Sequence, residues 1–314
     1  MLHSVSGRSA ALFPACNDDQ SAIRHQSGAI RPNKRQSGFR RRRNKSGTVR
    51  ANRGFFYESA TALPRFTDGL NLAFGIAMNS IVIAAEPEPI AVDVSRTAVI
   101  IIDMQRDFLE PGGFGESLGN DVSLLAAAIA PCKRLLAAAR ATGMMVVHTR
   151  EGHRPDLSDA PLAKIERGAP GKRIGAPGPM GRILVRGEPG HDIISALAPA
   201  DAEPVIDKPG KGAFYATDLH AILVNRGIDN LIVCGVTTEI CVHTTVREAN
   251  DRGFRCIVPA DCCASYFPEF HRAGLQMIKA QGGILGWVSS SAAVLAALDQ
   301  RNRKTGDGDR RHAA

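Results

Sequence analysis

No run of about 18 apolar residues occurs in this 314-residue chain, so nothing in it reads as a membrane-spanning helix. Its seven cysteines, at 16, 132, 234, 241, 256, 262 and 263, are odd in number and lack paired metal-type spacing. They therefore indicate neither a disulfide framework nor a zinc site. Four lie in or beside apolar segments, a usage that suits a reducing cytosol, and a bridge between vicinal Cys262 and Cys263 would be strained. The glycines of 172–190 match no phosphate-binding signature followed by a helix, so a nucleotide is disfavoured and no cofactor is expected. No internal repeat is visible.

Net charge is missing where a polyanion partner would need it. The formal +8 is concentrated in residues 1–77, which hold 13 Lys/Arg against 4 Asp/Glu, leaving 26 against 27 for residues 78–314. A nearly neutral globular part points to a small polar molecule rather than a nucleic acid. Residues 1–77 are rich in Ser, Arg, Gly and Asn, include Arg40-Arg41-Arg42-Arg43, and have no sustained periodicity, which is the composition of a disordered extension. A transit peptide, a nucleic-acid arm and a true start at Met78 are the competing readings.

From Met78 the chain alternates strand-like and helix-like segments, the pattern of an α/β fold with a parallel sheet flanked by helices. Six strands are predicted: 97–103, 145–149, 204–207, 230–235, 255–259 and 283–287. Helices are predicted over 123–142, 217–226, 239–252, 268–281 and 289–299, within one domain spanning 78–300. A charged tail from Arg301 is expected to fray. The Gly- and Pro-rich stretch 150–204 exceeds ordinary loop length and is expected to cover a site.

Ligands of open parallel sheets bind beyond the carboxyl ends of the strands. Three reactive side chains fall there: Asp103 closing the first strand, Lys208 after the third, and Cys241 after the fourth. Cys241 lies in Val236-Thr237-Thr238-Glu239-Ile240-Cys241-Val242, near the first turn of a predicted helix, where orphan N–H groups and the helix dipole favour a thiolate. A nucleophilic thiol needs a proton acceptor and nearby positive charge, and Asp103 and Lys208 supply them. The backbone N–H groups of Thr237 or Thr238 and of Cys241 are candidate donors to an oxyanion. Taken singly, Asp103 could be a cap and Lys208 a surface lysine; the three together favour catalysis. His148, Glu151 and His153 could suggest a metal, but a polar pocket wall is the preferred reading and no metal is expected.

These marks, Ile-Asp-Met-Gln-x-Asp-Phe around Asp103, Lys208, and Gly-Val-Thr-Thr-Glu-Ile-Cys, resemble the isochorismatase-like cysteine hydrolase superfamily over about 96–287. The resemblance implies a three-layer Rossmann-like fold with a six-stranded parallel sheet, a catalytic triad of Asp103, Lys208 and Cys241, and a cis Val236–Thr237 peptide bond. Longer blocks resemble its biuret hydrolase branch: His148-Thr149-Arg150-Glu151-Gly152-His153-Arg154-Pro155-Asp156-Leu157, Arg186-Gly187-Glu188-Pro189-Gly190, Asp207-Lys208-Pro209-Gly210-Lys211-Gly212, and 247–253. By that likeness Phe108 lines the pocket and Gln281 binds a terminal carbamoyl group. The alternatives are core packing for Phe108 and a helix end for Gln281.

The bulky Tyr266 and Phe267 depart from the branch and leave several substrates open: biuret, triuret, ureidoacrylate or another linear carbamoyl amide. True isochorismatases usually lack the cysteine, and nicotinamidases usually carry a metal-binding Asp-x-His group, which does not accompany His148, Glu151 and His153 in the 150–204 stretch. The resulting expectation is a cytoplasmic amidohydrolase acting on a small-molecule amide or ureide, with no membrane partner, as a homotetramer by family likeness. The non-enzyme alternative is a binding protein with a basic nucleic-acid arm.

Overall fold

The computed structural model describes residues 79–312, and the side chains of 79–303. The expectations for 1–77 lie outside the described residues. The chain opens on an antiparallel hairpin, β1 (Ser80–Ile83) and β2 (Ile90–Asp93), and then enters a parallel sheet. The sheet strands are β3 (Thr97–Ile102), β4 (Met145–Glu151), β7 (Val205–Lys208), β8 (Asn230–Val236), β9 (Arg255–Pro259), the two-residue β10 (Cys263–Ala264) and β11 (Trp287–Ser289). A small hairpin, β5 (Pro177–Gly178) and β6 (Gly181–Arg182), lies in the long connection between β4 and β7.

The sheet order is β11-β9-β8-β3-β4-β7, with β10 alongside β8, and every pairing in it is parallel. The six expected strands are therefore joined by a seventh, β10, too short to leave a periodic signal. All residues of β3 and β8 are buried, as expected for central strands covered on both faces.

The helices are α1 (Arg106–Leu109), α2 (Phe114–Ser117), α3 (Ser123–Ala126), α4 (Ile129–Ala141), α5 (Leu162–Ile165), α6 (Leu219–Asn225), α7 (His243–Asn250), α8 (Pro268–Gly283) and α9 (Ser291–His312). Right-handed crossovers put α4, between β3 and β4, on one face and α7, between β8 and β9, on the other. That reversal leaves a crevice at the carboxyl ends of adjacent strands β3 and β8, where Ile102 pairs with Gly235. Among the described residues, no helix is long and apolar enough to cross a membrane.

Three boundaries depart from expectation. The helix predicted over 123–142 is two pieces, α3 and α4. The last strand starts at Trp287 rather than Gly283, because the chain leaves α8 at Ala280 through left-handed Gln281 (φ 52°), Gly282 (φ 75°) and Gly283 (φ 81°), a conformation no strand uses. The final helix does not stop near Asp299: α9 continues past Arg301 to His312.

Candidate active site

Asp103 directly follows β3 in a left-handed conformation (φ 49°) and is fully buried. Its carboxylate accepts from the Thr149 hydroxyl at 2.6 Å and lies 2.7 Å from Lys208 Nζ. Lys208, the last residue of β7, is also fully buried, and its ammonium donates to the carbonyls of Gly210 (3.0 Å) and Lys211 (2.9 Å). Burial alone would lower its pKa, but the carboxylates of Asp103 and Glu151 outweigh that and raise it, so this lysine stays charged.

Cys241 sits between β8 and α7 in a turn over Thr238–Val242 closed by a hydrogen bond from Val242 N–H to Thr237 O (3.2 Å). Such wide turns recur at functional sites. The Val236–Thr237 peptide bond is cis. Thr237 and Cys241, whose N–H groups are the candidate oxyanion donors, both line a cavity of about 440 Å³.

Glu151 joins this group, although sequence reasoning placed it no higher than a polar wall. It ends β4 as Asp103 follows β3, and its carboxylate is 2.6 Å from Lys211 Nζ and 3.9 Å from Lys208 Nζ. Burial would raise its pKa, but the ammonium groups of Lys211 and Lys208 prevail and lower it, so Glu151 is an anion. The Cys241 thiol donates to Glu151 Oε2 at 3.5 Å rather than to Asp103.

Burial, reinforced by the carboxylates of Asp103 and Glu151, pushes the Cys241 thiol well above its ordinary pKa despite the pull of Lys208, against the help toward a thiolate that the helix start offers.

The oxygens of Asp103 and Glu151 and the sulfur of Cys241 lie within 4.8 Å of one another, a donor set a cation could meet. Lys208 and Lys211 already stand against both carboxylates, so the charge that would draw a metal is balanced from within. His148 and His153 do not contribute: His148 pairs with Glu203 (3.0 Å) and His153 with Asp159 (3.2 Å). Strand alternation explains why His148 parts company with Thr149 and Glu151 along β4.

Phe108, from α1, lines the cavity, together with Phe114, Tyr266, Phe267 and Phe270. The long connection supplies Lys164, Arg167, Lys172, Ile174 and Leu184, so it does wall the site. Gln281 is not brought there: it is exposed in the turn that ends α8 and is absent from the lining. The reason is topological. A helix that leaves the carboxyl edge of a parallel sheet delivers its own end to the amino edge, away from Asp103 and Cys241.

The model of the Isochorismatase domain matches residues 97–292. The ureidoacrylate amidohydrolase RutB of Methylobacterium radiotolerans is 34% identical over 241 residues, 73% of this chain and 90% of that protein. RutB of Azorhizobium caulinodans is 31% identical over 228 residues, 69% of this chain and 96% of its own length. Among solved structures, a cysteine hydrolase from Pseudomonas syringae pv. phaseolicola matches with TM-score 0.57 and 31% identity, covering 67% of this chain and 95% of that one. An isochorismatase family protein from Desulfovibrio vulgaris matches with TM-score 0.54 and 29% identity, covering 65% and 98%. A domain match over most of the described chain, on a parallel sheet with a buried cysteine at its switch point, makes this protein a member of the isochorismatase family of hydrolases.

Proposed function

We propose that the chain is an amidohydrolase that cleaves the terminal C–N bond of a small linear ureide. The observation that carries this reading is the buried cluster in which the donor atoms of Asp103, Glu151 and Cys241 lie within 4.8 Å and Lys208 stands 2.7 Å from Asp103, with Glu151 and Cys241 lining the cavity. On entry, the ureide N–H groups take over Glu151 as their acceptor and release the thiol toward Asp103. Asp103 takes the Cys241 proton as sulfur attacks the carbonyl carbon, and the Thr237 and Cys241 N–H groups hold the oxyanion. The C–N bond then breaks, Asp103 returns the proton to the leaving nitrogen, and ammonia departs from an acyl-cysteine. Water adds to that carbonyl with its proton going to Asp103, the C–S bond breaks, and the sulfur recovers a proton. The net reaction consumes one water and yields ammonia and a carbamic acid. Lys208, 2.7 Å from Asp103, holds that carboxyl group in register.

Likeness to the biuret hydrolase branch supports biuret, and the named relatives support ureidoacrylate. One feature favours a carboxylated ureide as the second reading: the lining carries Lys164, Arg167, Lys172 and Lys211 against only Glu151 and Glu239. Ammonia release by the purified full chain from biuret, triuret, ureidoacrylate and nicotinamide decides between them. Turnover of a ureide with nicotinamide left intact agrees with the proposal; cleavage of nicotinamide alone, or of none, sinks it.

A further inference from the structure

The phenol of Tyr266 does not face the reacting groups. It donates to the backbone carbonyl of Phe108 at 2.7 Å, across 158 positions of sequence. The four-residue helix α1 leaves its last carbonyls without partners in the helix, and Tyr266 satisfies the one that belongs to the pocket-lining phenylalanine. Gly115 makes the contact possible. A Cβ at that position would lie 2.2 Å from Tyr266 Oη, 3.0 Å from its Cζ and 3.2 Å from the Phe108 carbonyl oxygen, so any side chain there expels the hydroxyl. The segment is held from a second side as well, since buried Asp107 accepts from Phe114 N–H at 3.1 Å. The rings of Phe108, Phe114 and Tyr266 thus form one wall of the cavity, and a single hydrogen bond seated on one glycine joins the α1–α2 segment to the β10–α8 segment.

We infer that Tyr266, seated on Gly115, is a positioning residue that fixes Phe108 and so sets the length of substrate the cavity accepts. This rests on the amidohydrolase reading for its natural substrate, but not for its geometry. With the clamp intact, a short ureide is pressed between Phe108 and Cys241. Without it the wall loosens, a short substrate loses its fit, and a longer one loses less.

The test compares wild type, Tyr266→Phe, Gly115→Ala and the double variant of the full chain. Tyr266→Phe removes one oxygen and leaves the ring. Loss of one hydrogen bond corresponds to roughly a fivefold effect, so KM for biuret is expected to rise about fivefold while KM for triuret and both kcat values hold within about twofold. Gly115→Ala should reproduce the same split. The double variant should be no worse than the single ones, because both remove the same contact. A second readout needs no natural substrate: alkylation of Cys241 by iodoacetamide and by the longer N-benzyl iodoacetamide, whose rate ratio should shift toward the longer reagent in all three variants. An unchanged alkylation ratio overturns the inference, as does an equal loss of kcat on both ureides. Wild type that turns over none of the ureides overturns the functional reading instead, and the alkylation ratio still judges the clamp.

Discussion

Replacing Glu151 by Gln should move two properties of Cys241 in opposite directions. The Glu151 carboxylate accepts the thiol hydrogen bond at 3.5 Å, is 1% exposed, and is one of the groups that push the thiol above its ordinary pKa. Two unit negative charges at that separation repel by about 5 kcal/mol at an effective dielectric constant of 20. Lys211 at 2.6 Å and Lys208 at 3.9 Å from Glu151 keep their own pull on the sulfur in the variant, so the substitution removes only a repulsion that opposes ionisation. Glutamine removes the charge and nearly keeps the shape, so alkylation of Cys241 by iodoacetamide near pH 7 should speed up by roughly tenfold or more. Turnover should fall, because a charged acceptor for the ureide N–H groups is lost; such hydrogen bonds are worth about 1.5–3 kcal/mol, or about 10- to 150-fold in kcat/KM. The assay pairs stopped alkylation, followed by mass spectrometry of the Cys241 peptide, with ammonia release. If alkylation and turnover fall together, Glu151 is a structural prop; if turnover is untouched, it does not hold the substrate.

Three further outcomes follow. Lys208→Met leaves the fully buried Asp103 carboxylate without its cation, so the midpoint of denaturation should report a loss of about 3–5 kcal/mol along with loss of activity, and unaltered stability would contradict the pairing. Glu203, although burial raises it, is held down to about 2 by Arg140, the Ala200 N–H and His148. Its folded pKa is thus below its ordinary value, so its contribution is present above about pH 4.5 and lost as pH falls toward 2. Wild type should therefore lose more stability than Glu203→Gln across that window, and parallel curves would refute the assignment. Exhaustive chelation should leave ammonia release intact, because Lys208 and Lys211 already balance the carboxylates of the site; activity lost on chelation and restored by a divalent cation would favour the nicotinamidase-type alternative.

The sheet and three residues of the candidate site were legible because both signals are local. Buried parallel strands are continuous apolar runs, and whatever side chain follows such a run stands at the ligand-binding edge. That logic located Asp103, Lys208 and Cys241, and applied evenly it would also have chosen Glu151 at the end of β4. In the sequence Glu151 stands with His148 and His153 as a polar wall of the pocket, and only the strand's alternation separates His148 from it. Gln281 was misplaced because a motif likeness outweighed the topology that carries the end of α8 to the far edge of the sheet. Two-residue β10 and the β1–β2 hairpin are too short for periodicity to reveal. Nor can spacing foresee the protonation of Cys241, which depends on how completely water is excluded around the sulfur and on two carboxylates brought from separate strands.

Rapid quenching of the enzyme with its ureide, followed by peptide mass spectrometry, tests the nucleophile most directly. An acyl adduct on the peptide holding Cys241, which decays as product appears and is absent in a folded Cys241→Ala variant that releases no ammonia, is the predicted result. A Cys241→Ala variant that still hydrolyses the ureide at a substantial rate would contradict it.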